Sequence, residues 1–265
     1  MNYLESIILG TVQGLTEFLP VSSSGHLVIF QNLLGLQFDS LSFEVFVHFG
    51  TLLSVLLVYY SDVGLMIKSF FSGIIKPVKS FETDFYFRLS IFVIIGTIPA
   101  ALAGIFLEDF FTSIFHNVNL VGFTLLFTGA VLWSTRYIPI KSREINTKNS
   151  IIIGIAQMLA ILPGISRSGM TISCGLFNGV SRKEAARFSF LLALPAIAGS
   201  MAFTIKDLIS NNSSQLGLGV LLIGLMTSFI VGYLAIKFLL KILESGKFSL
   251  FAPYCLLIGI IVLIF

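Results

Sequence analysis

The sequence predicts an all-α, polytopic membrane protein with six transmembrane helices and two re-entrant helix–loop–helix elements, arranged as an inverted-topology repeat. Three observations predict it. Of 265 residues, 56% are hydrophobic and 11% charged, less than half the roughly 25% charge of an ordinary globular domain. With a mean hydropathy of +0.98, such a chain cannot clothe a water-facing surface and takes lipid as its solvent. The apolar residues run continuously, as at 151–162 and 220–236, whereas an outer-membrane barrel alternates apolar and polar residues in segments of about ten. Finally, a 21-residue stretch near the start recurs 144 residues later.

A helix needs about 20 residues to cross the hydrocarbon core. Stretches of that length lie at 42–60, 85–107, 113–135, 184–205, 216–236 and 248–265. Positive charges sort the connections: Lys68, Lys76 and Lys79 in one, Arg136, Lys141, Arg143 and Lys148 in another, Lys237, Lys241 and Lys247 in a third. These three are expected on the cytoplasmic side. The alternate connections, 108–112 and 206–215, lack positive excess and fit the outside. The small net charge of +3 is spread between the spans with no basic stripe, which argues against nucleic acid as a partner. Cys174 and Cys255, far apart in apolar surroundings, read as small core residues. The first 14 residues lack a basic n-region and a cleavage site and read as mature protein.

Two stretches, 5–36 and 149–180, are apolar but broken in the middle by Pro, Gly and Ser. Backbone groups freed by such a break are tolerated at membrane depth only where protein or water covers them. Each is therefore read as re-entrant, the alternative being a proline-kinked span. Residues 5–25 (ESIILGTVQGLTEFLPVSSSG) and 149–169 (NSIIIGIAQMLAILPGISRSG) match at nine of 21 positions, including Gln13 with Gln157, Ser22 and Ser24 with Ser166 and Ser168, and Gly25 with Gly169. Three crossings separate the copies, so the second enters from the opposite side. The chain reads as a single membrane domain, 1–265, with repeat one about 1–135 and repeat two about 149–265. Two broken helices facing one another bring free N–H groups and helix N-termini together, a setting that favours an anion.

Ionisable residues inside membrane segments are costly and so mark function. The first break carries Gln13, Glu17, Ser22, Ser23, Ser24, Gly25 and His26; the second carries Ser166, Arg167, Ser168, Gly169 and Thr171. Gln13 and Glu17, four apart, share a helix face. Arg167 offers a forked permanent charge suited to phosphate oxygens, and glycines let backbone amides approach a ligand. Together these form a phosphoryl-transfer set: a serine nucleophile, Glu17 or His26 as base, and Arg167 with backbone amides on the equatorial oxygens. Each has a plainer reading. Glu17 and Arg167 can be a buried structural ion pair, His26 a core histidine, and the serines helix caps. His48 reads as structural and His116 as a solvated interfacial residue.

The strings QGLTEFLPVSSSGH and LPGISRSGMT resemble the two signature regions of the bacterial undecaprenyl-diphosphate phosphatase family, also known for bacitracin resistance. The resemblance extends to FEVFVHFGT at 43–51 and GVSRKEAARFSFLLALPA at 179–196. It implies a multi-pass enzyme of the bacterial inner (plasma) membrane that removes the terminal phosphate of undecaprenyl diphosphate, returning the lipid carrier to peptidoglycan synthesis. It further implies dependence on magnesium or calcium, with Glu17 as the metal-binding carboxylate. By matching position Glu17, Ser23 and His26 fall on the family's first motif, with Ser23 as its proposed nucleophile, and Ser166, Arg167, Ser168 and Thr171 on the phosphate-binding residues of its second. With the residue reading above, Glu17, Ser23, His26 and Arg167 are expected in catalysis, with Ser23, His26 or water left open as nucleophile, and Gln13, Ser22, Ser24, Gly25, Ser166, Ser168, Gly169 and Thr171 in substrate binding. The first motif often carries two glutamates four apart; here the first is Gln13, which cannot accept a proton. The expected partners are a prenyl diphosphate, membrane lipids and, for a homodimer, a second copy of the chain. The competing reading is a polyprenyl-phosphate flippase or secondary transporter, since inverted repeats of broken helices also build transporters. A scaffold would leave Glu17 and Arg167 unexplained.

Overall fold

The computed structural model describes residues 1–35, 41–114, 117–139, 142–211 and 216–264. His116 and Lys141 lie outside them. Among the described residues there is no strand, and Arg143 and Val180 form an isolated bridge.

Asn2 and Glu5 cap each other's backbone and start α1 (Tyr3–Phe18). It stops where Pro20 forces extended backbone on Leu19. Then come α2 (Ser23–Leu33), α3 (Leu41–Val58), α4 (Tyr60–Gly73) and the short α5 (Pro77–Thr83). Asp84 accepts from the N–H groups of Tyr86 and Phe87 and starts α6 (Phe85–Phe106). The short α7 (Glu108–Ile114) and α8 (Val118–Ser134) follow. After them come α9 (Thr147–Leu159), α10 (Arg167–Phe177), α11 (Arg182–Asn211), α12 (Leu218–Glu244) and α13 (Ala252–Ile264).

Four helices are long and apolar enough to cross a bilayer: Phe85–Phe106, Val118–Tyr137, Arg182–Ala202 and Leu218–Glu244. A fifth span arises if α3 and α4, bent by 81° at their junction, count as one; Phe248–Ile264 is shorter. This makes a multi-pass membrane protein, and α12 shows why its surface is lipid-facing. Leu222, Met226, Ile230, Leu234 and Phe238, each four apart, are all exposed, while Gly224, Ser228, Gly232 and Ala235 on other faces are buried. Apolar residues outside and small ones inside is the pattern of a helix packed in lipid.

The expected boundaries shift: α11 runs on to Asn211, into the connection expected at 206–215, and Lys148 lies in α9. Lys68, expected in a loop, sits in the helix α4. Lys237 and Lys241 fall inside α12, which extends beyond residue 236 to Glu244. The segment ahead of α8 carries the separate helix α7. The two broken stretches appear as expected in their parts, with arms of 16 and 11 residues in one and 13 and 11 in the other.

The repeats are exchanged. α1 packs on α12 of the second repeat, and α9 packs on α6 of the first. The contacts correspond residue by residue. Ser6 Oγ donates to the Val220 carbonyl at 2.7 Å, and its mate Ser150 Oγ donates to that of Phe92. A Cβ on Gly10 would lie 2.8 Å from the Gly224 carbonyl oxygen; one on its mate Gly154 would lie 2.4 Å from that of Gly96. α3 lies on α11, and α8 lies on α13.

Candidate active site

The two breaks meet. A Cβ on Gly25 would sit 3.1 Å from Gly164 Cα, and one on Gly169 would sit 3.3 Å from Pro20 Cβ. These are the same contact seen from each repeat, since residues 20 and 25 match 164 and 169. The backbone freed by the second break is met from α8: Thr124 Oγ1 donates to the Pro163 carbonyl at 2.6 Å, and Thr128 Oγ1 to that of Gly164 at 3.1 Å and accepts from Ser166 N at 3.2 Å. In the first break the Pro20 carbonyl accepts from Cys255 Sγ of α13 at 3.4 Å. Protein groups thus do what water cannot do inside a bilayer.

Ser22 and Ser166 cap α2 and α10, their hydroxyls accepting from Gly25 N at 3.3 Å and Gly169 N at 3.1 Å. Ser22 has φ of 72°, the one positive value at a non-glycine among the described residues. Strain of this kind costs on the order of 1–3 kcal/mol and clusters at functional sites. The turn sets Ser23 over the end of α1, where its Oγ donates to Glu17 Oε2 at 2.5 Å.

Glu17 is the hub. Gln13 Nε2, one helical turn back, donates to Oε2 at 3.0 Å, and Arg167 Nη2 from the other repeat donates to Oε1. His48 Nε2 of α3 stands 4.0 Å from Oε2, its Nδ1 held by the Glu44 carbonyl at 2.7 Å. Glu17 is only 8% exposed, so its charge is balanced by this cluster rather than by bulk water. Glu17, Ser22, Ser23, Ser24, Ser166 and Arg167 line a cavity of about 520 Å³. The N-termini of α2 and α10 border it, adding their partial positive charge.

Of the residues expected at the site, Gln13 lies fully buried behind Glu17. Ser168 Oγ approaches the Leu19 carbonyl at 3.3 Å and Ser166 Oγ at 3.2 Å. Gly25 and Gly169 contribute cap amides and the close approach of the two turns. Two residues are placed differently. Thr171 is fully buried, bonded to the Arg167 carbonyl at 2.8 Å and to Ser189 Oγ at 2.6 Å, and serves the α10–α11 contact. His26 has Nδ1 on the Ser22 carbonyl and Nε2 on the Tyr254 hydroxyl, each at 2.8 Å, and it does not border the cavity. Both nitrogens are occupied away from Glu17, and the carboxylate beside Ser23 is that of Glu17. His48 and Glu44, read from sequence as part of an apolar span, do border the cavity. Their spacing of four within an otherwise apolar helix was the available signal. Both cysteines are free thiols.

Fold and site define a polytopic membrane protein with a charge-paired, hydroxyl-rich cavity held between two broken helices. The family model described as bacitracin resistance protein BacA matches residues 6–261, and the chain belongs to that family. Among its relatives are proteins named undecaprenyl-diphosphatase from Desulforapulum autotrophicum (43% identical, covering 100% of this chain and 98% of the relative) and Halothermothrix orenii (43%, with the same coverage). Another with that name, from Korarchaeum cryptofilum, is 44% identical over 99% of each chain.

Proposed function

We propose that this chain is an undecaprenyl-diphosphatase, releasing phosphate from a polyprenyl diphosphate and returning the monophosphate carrier for cell-wall synthesis. One observation carries the reading: Ser23 Oγ lies 2.5 Å from Glu17 Oε2 while Arg167 holds the other carboxylate oxygen. A hydroxyl on a carboxylate base beside a fixed cation is what attack on a phosphoanhydride requires.

In this mechanism Ser23 Oγ attacks the terminal phosphorus as its proton passes to Glu17 Oε2. The bond from phosphorus to the bridging oxygen breaks, and the prenyl monophosphate leaves with the bond's electron pair. Water then attacks the phosphoserine; Glu17 returns the proton of Ser23, takes one from the water and passes it to the departing inorganic phosphate, so the carboxylate is ionised again. Arg167 and the N–H groups at the two helix starts hold the charge that develops on the phosphoryl oxygens.

The oxygen donors at the cavity are the Glu17 and Glu44 carboxylates, with Gln13 Oε1 behind Glu17, buried and without a partner. No group of three or more His, Cys, Asp or Glu residues suited to a metal occurs among the described residues. Glu17 and Gln13 would hold magnesium or calcium, which would supply charge neutralisation at the diphosphate.

In the bilayer, α3, α6, α8, α11, α12 and α13 form the six crossings, and the pairs α1–α2 and α9–α10 enter and leave on one side each. Each pair is broken by a turn, and the two turns meet at a shared cavity. The membrane is the bacterial plasma membrane.

The test is phosphate release from undecaprenyl diphosphate by purified protein in detergent, with and without chelator, beside Ser23→Ala. Chelator-sensitive release that Ser23→Ala eliminates is the expected result. Release surviving in Ser23→Ala would remove serine as nucleophile. No release from folded wild type, across metals and prenyl lengths, would favour a lipid flippase.

A further inference from the structure

A second cavity of about 430 Å³ lies between α4, α6 and α11, lined by residues including Val63, Ile67, Phe70, Ile94, Ile98 and Leu191. Its lining offers no free polar side chain. Of its two hydroxyls, Ser90 Oγ is taken by the Met66 and Tyr86 carbonyls at 3.2 and 2.8 Å, and Thr97 Oγ1 by the Val93 carbonyl at 2.8 Å. An occupant must therefore be apolar along its whole length.

Three features hold this groove open. The 81° bend between α3 and α4 turns α4 away from the axis of α3. Pro99 in α6 and Pro195 in α11, the latter in the groove's lining, each remove a backbone hydrogen bond from a wall helix. At one end Asp62 of α4 is ion-paired to Arg187 of α11, whose guanidinium lies 5.1 Å from the Phe85 ring and 5.6 Å from that of Tyr86. This cluster pins α4 to its neighbours and fixes the groove's width.

The groove is continuous with the phosphate cavity. Thr97, Ala101 and Pro195 line both. We infer that the groove between α4, α6 and α11 is the seat of the substrate's isoprenoid tail, entered past Thr97, Ala101 and Pro195 by a lipid whose diphosphate lies at Ser23 and Arg167. This rests on the phosphatase reading and deepens it by naming the helices that select the tail. The surrounding lipid is as apolar as the groove, so little free energy comes from removing the tail from water. The groove acts by alignment: a tail lying in it holds the terminal phosphorus against Ser23, and a misplacement of about 1 Å at a reacting centre can cost about a hundredfold in rate.

Ile94 borders the groove but not the phosphate cavity, and it is 47% exposed, so Ile94→Trp fills the groove without entering the site. Turnover of undecaprenyl diphosphate is compared with that of geranyl diphosphate, whose two isoprene units are too short to follow the groove. Ile94→Trp is expected to lower kcat/KM for the long substrate at least about tenfold, with the short one within about twofold of wild type. An equal fall for both substrates, or no fall for either, would overturn the assignment and leave the groove to bulk lipid chains. Should Ile94→Trp not fold, a prenyl diphosphate with a photoreactive group in mid-tail is expected to label segments 63–71, 90–101 and 191–195 of wild type; labelling elsewhere would also overturn it. Wild type that hydrolyses neither substrate defeats the phosphatase reading instead.

Discussion

Removing Arg167 tests whether the Glu17–Arg167 pair is chemical machinery or only a clamp between the repeats. Glu17 is 8% exposed and Arg167 supplies the one arginine on its carboxylate. Arg167→Ala leaves that carboxylate with Ser23 and Gln13 as donors and with His48 at 4.0 Å. Breaking one side of a buried ion pair destabilises by about 3–5 kcal/mol, because the remaining charge stays buried. Unfolding in detergent, followed by a cysteine-reactive dye at buried Cys255, should therefore shift strongly. Turnover should fall about a thousandfold or more, since an arginine on a transferring phosphoryl group is worth that much. The decisive variant is Arg167→Ala with Glu17→Gln. Neutralising both partners removes the orphaned charge, so stability returns to within about 1–2 kcal/mol of wild type while activity stays lost. A double variant that regains activity along with stability, or Arg167→Ala that turns over normally, would refute the catalytic assignment and leave a structural ion pair.

Gln13→Glu is expected to remain active and to need less divalent cation for half-maximal rate in phosphate-release assays, because a second carboxylate beside Glu17 adds a charged oxygen ligand for the cation; complete loss would mean that the amide N–H to Glu17 is indispensable. Gln157, the mate of Gln13, has Ile161 where the first repeat has Glu17, and both its amide atoms are buried without a partner. Gln157→Leu should leave stability unchanged or raise it by about 1 kcal/mol, and a loss of stability would show that the amide is satisfied in the working protein. Gly154→Ala would set a Cβ 2.4 Å from the Gly96 carbonyl oxygen, backbone that cannot step aside. It should cost about 1–3 kcal/mol, whereas Gly64→Ala, with nothing within 4 Å, should be neutral or stabilising by up to about 1 kcal/mol in the same unfolding assay.

The sequence made the repeat, the two breaks and the pairing of Glu17 with Arg167 legible, because Gln, Ser-x-Ser and Gly recurring in register cannot come from apolar composition alone. It did not reveal the α3–α4 bend. Residues on both sides of Tyr59 are largely apolar, and a bend changes no periodicity that lipid-facing residues must keep. His48 was hidden for a related reason: in a mostly apolar helix its neighbours do not disclose which face it occupies, and only the packing of α3 against α1 sets it opposite Glu17. The surroundings of His26 were hidden as well. Its place in the signature pointed to the reaction, yet the first turn of α2 carries it toward Tyr254, 228 residues away, a partner that no local pattern announces. Thr171 likewise follows Arg167 by one helical turn, and its hydroxyl is claimed by Ser189 of α11.

The exchange of repeats bears on how such a site can work. In transporters built from inverted repeats, alternating access comes largely from one bundle rocking against the other around a fixed site. Here each broken helix is seated on the opposite repeat through glycines with almost no clearance, Gly10 on Gly224 and Gly154 on Gly96. Each seat is fastened by a serine, Ser6 to Val220 and Ser150 to Phe92. Moving one repeat as a body would break both seats, separate the Gly25–Gly164 and Gly169–Pro20 contacts, and part Glu17 from Arg167 in low dielectric, where an unpaired charge is most costly. Phosphoryl transfer asks for the opposite: donors and base held still while charge moves over them. Interlocked broken helices supply that stillness across the join where the substrate's charge would lie, which suits chemistry at a fixed point.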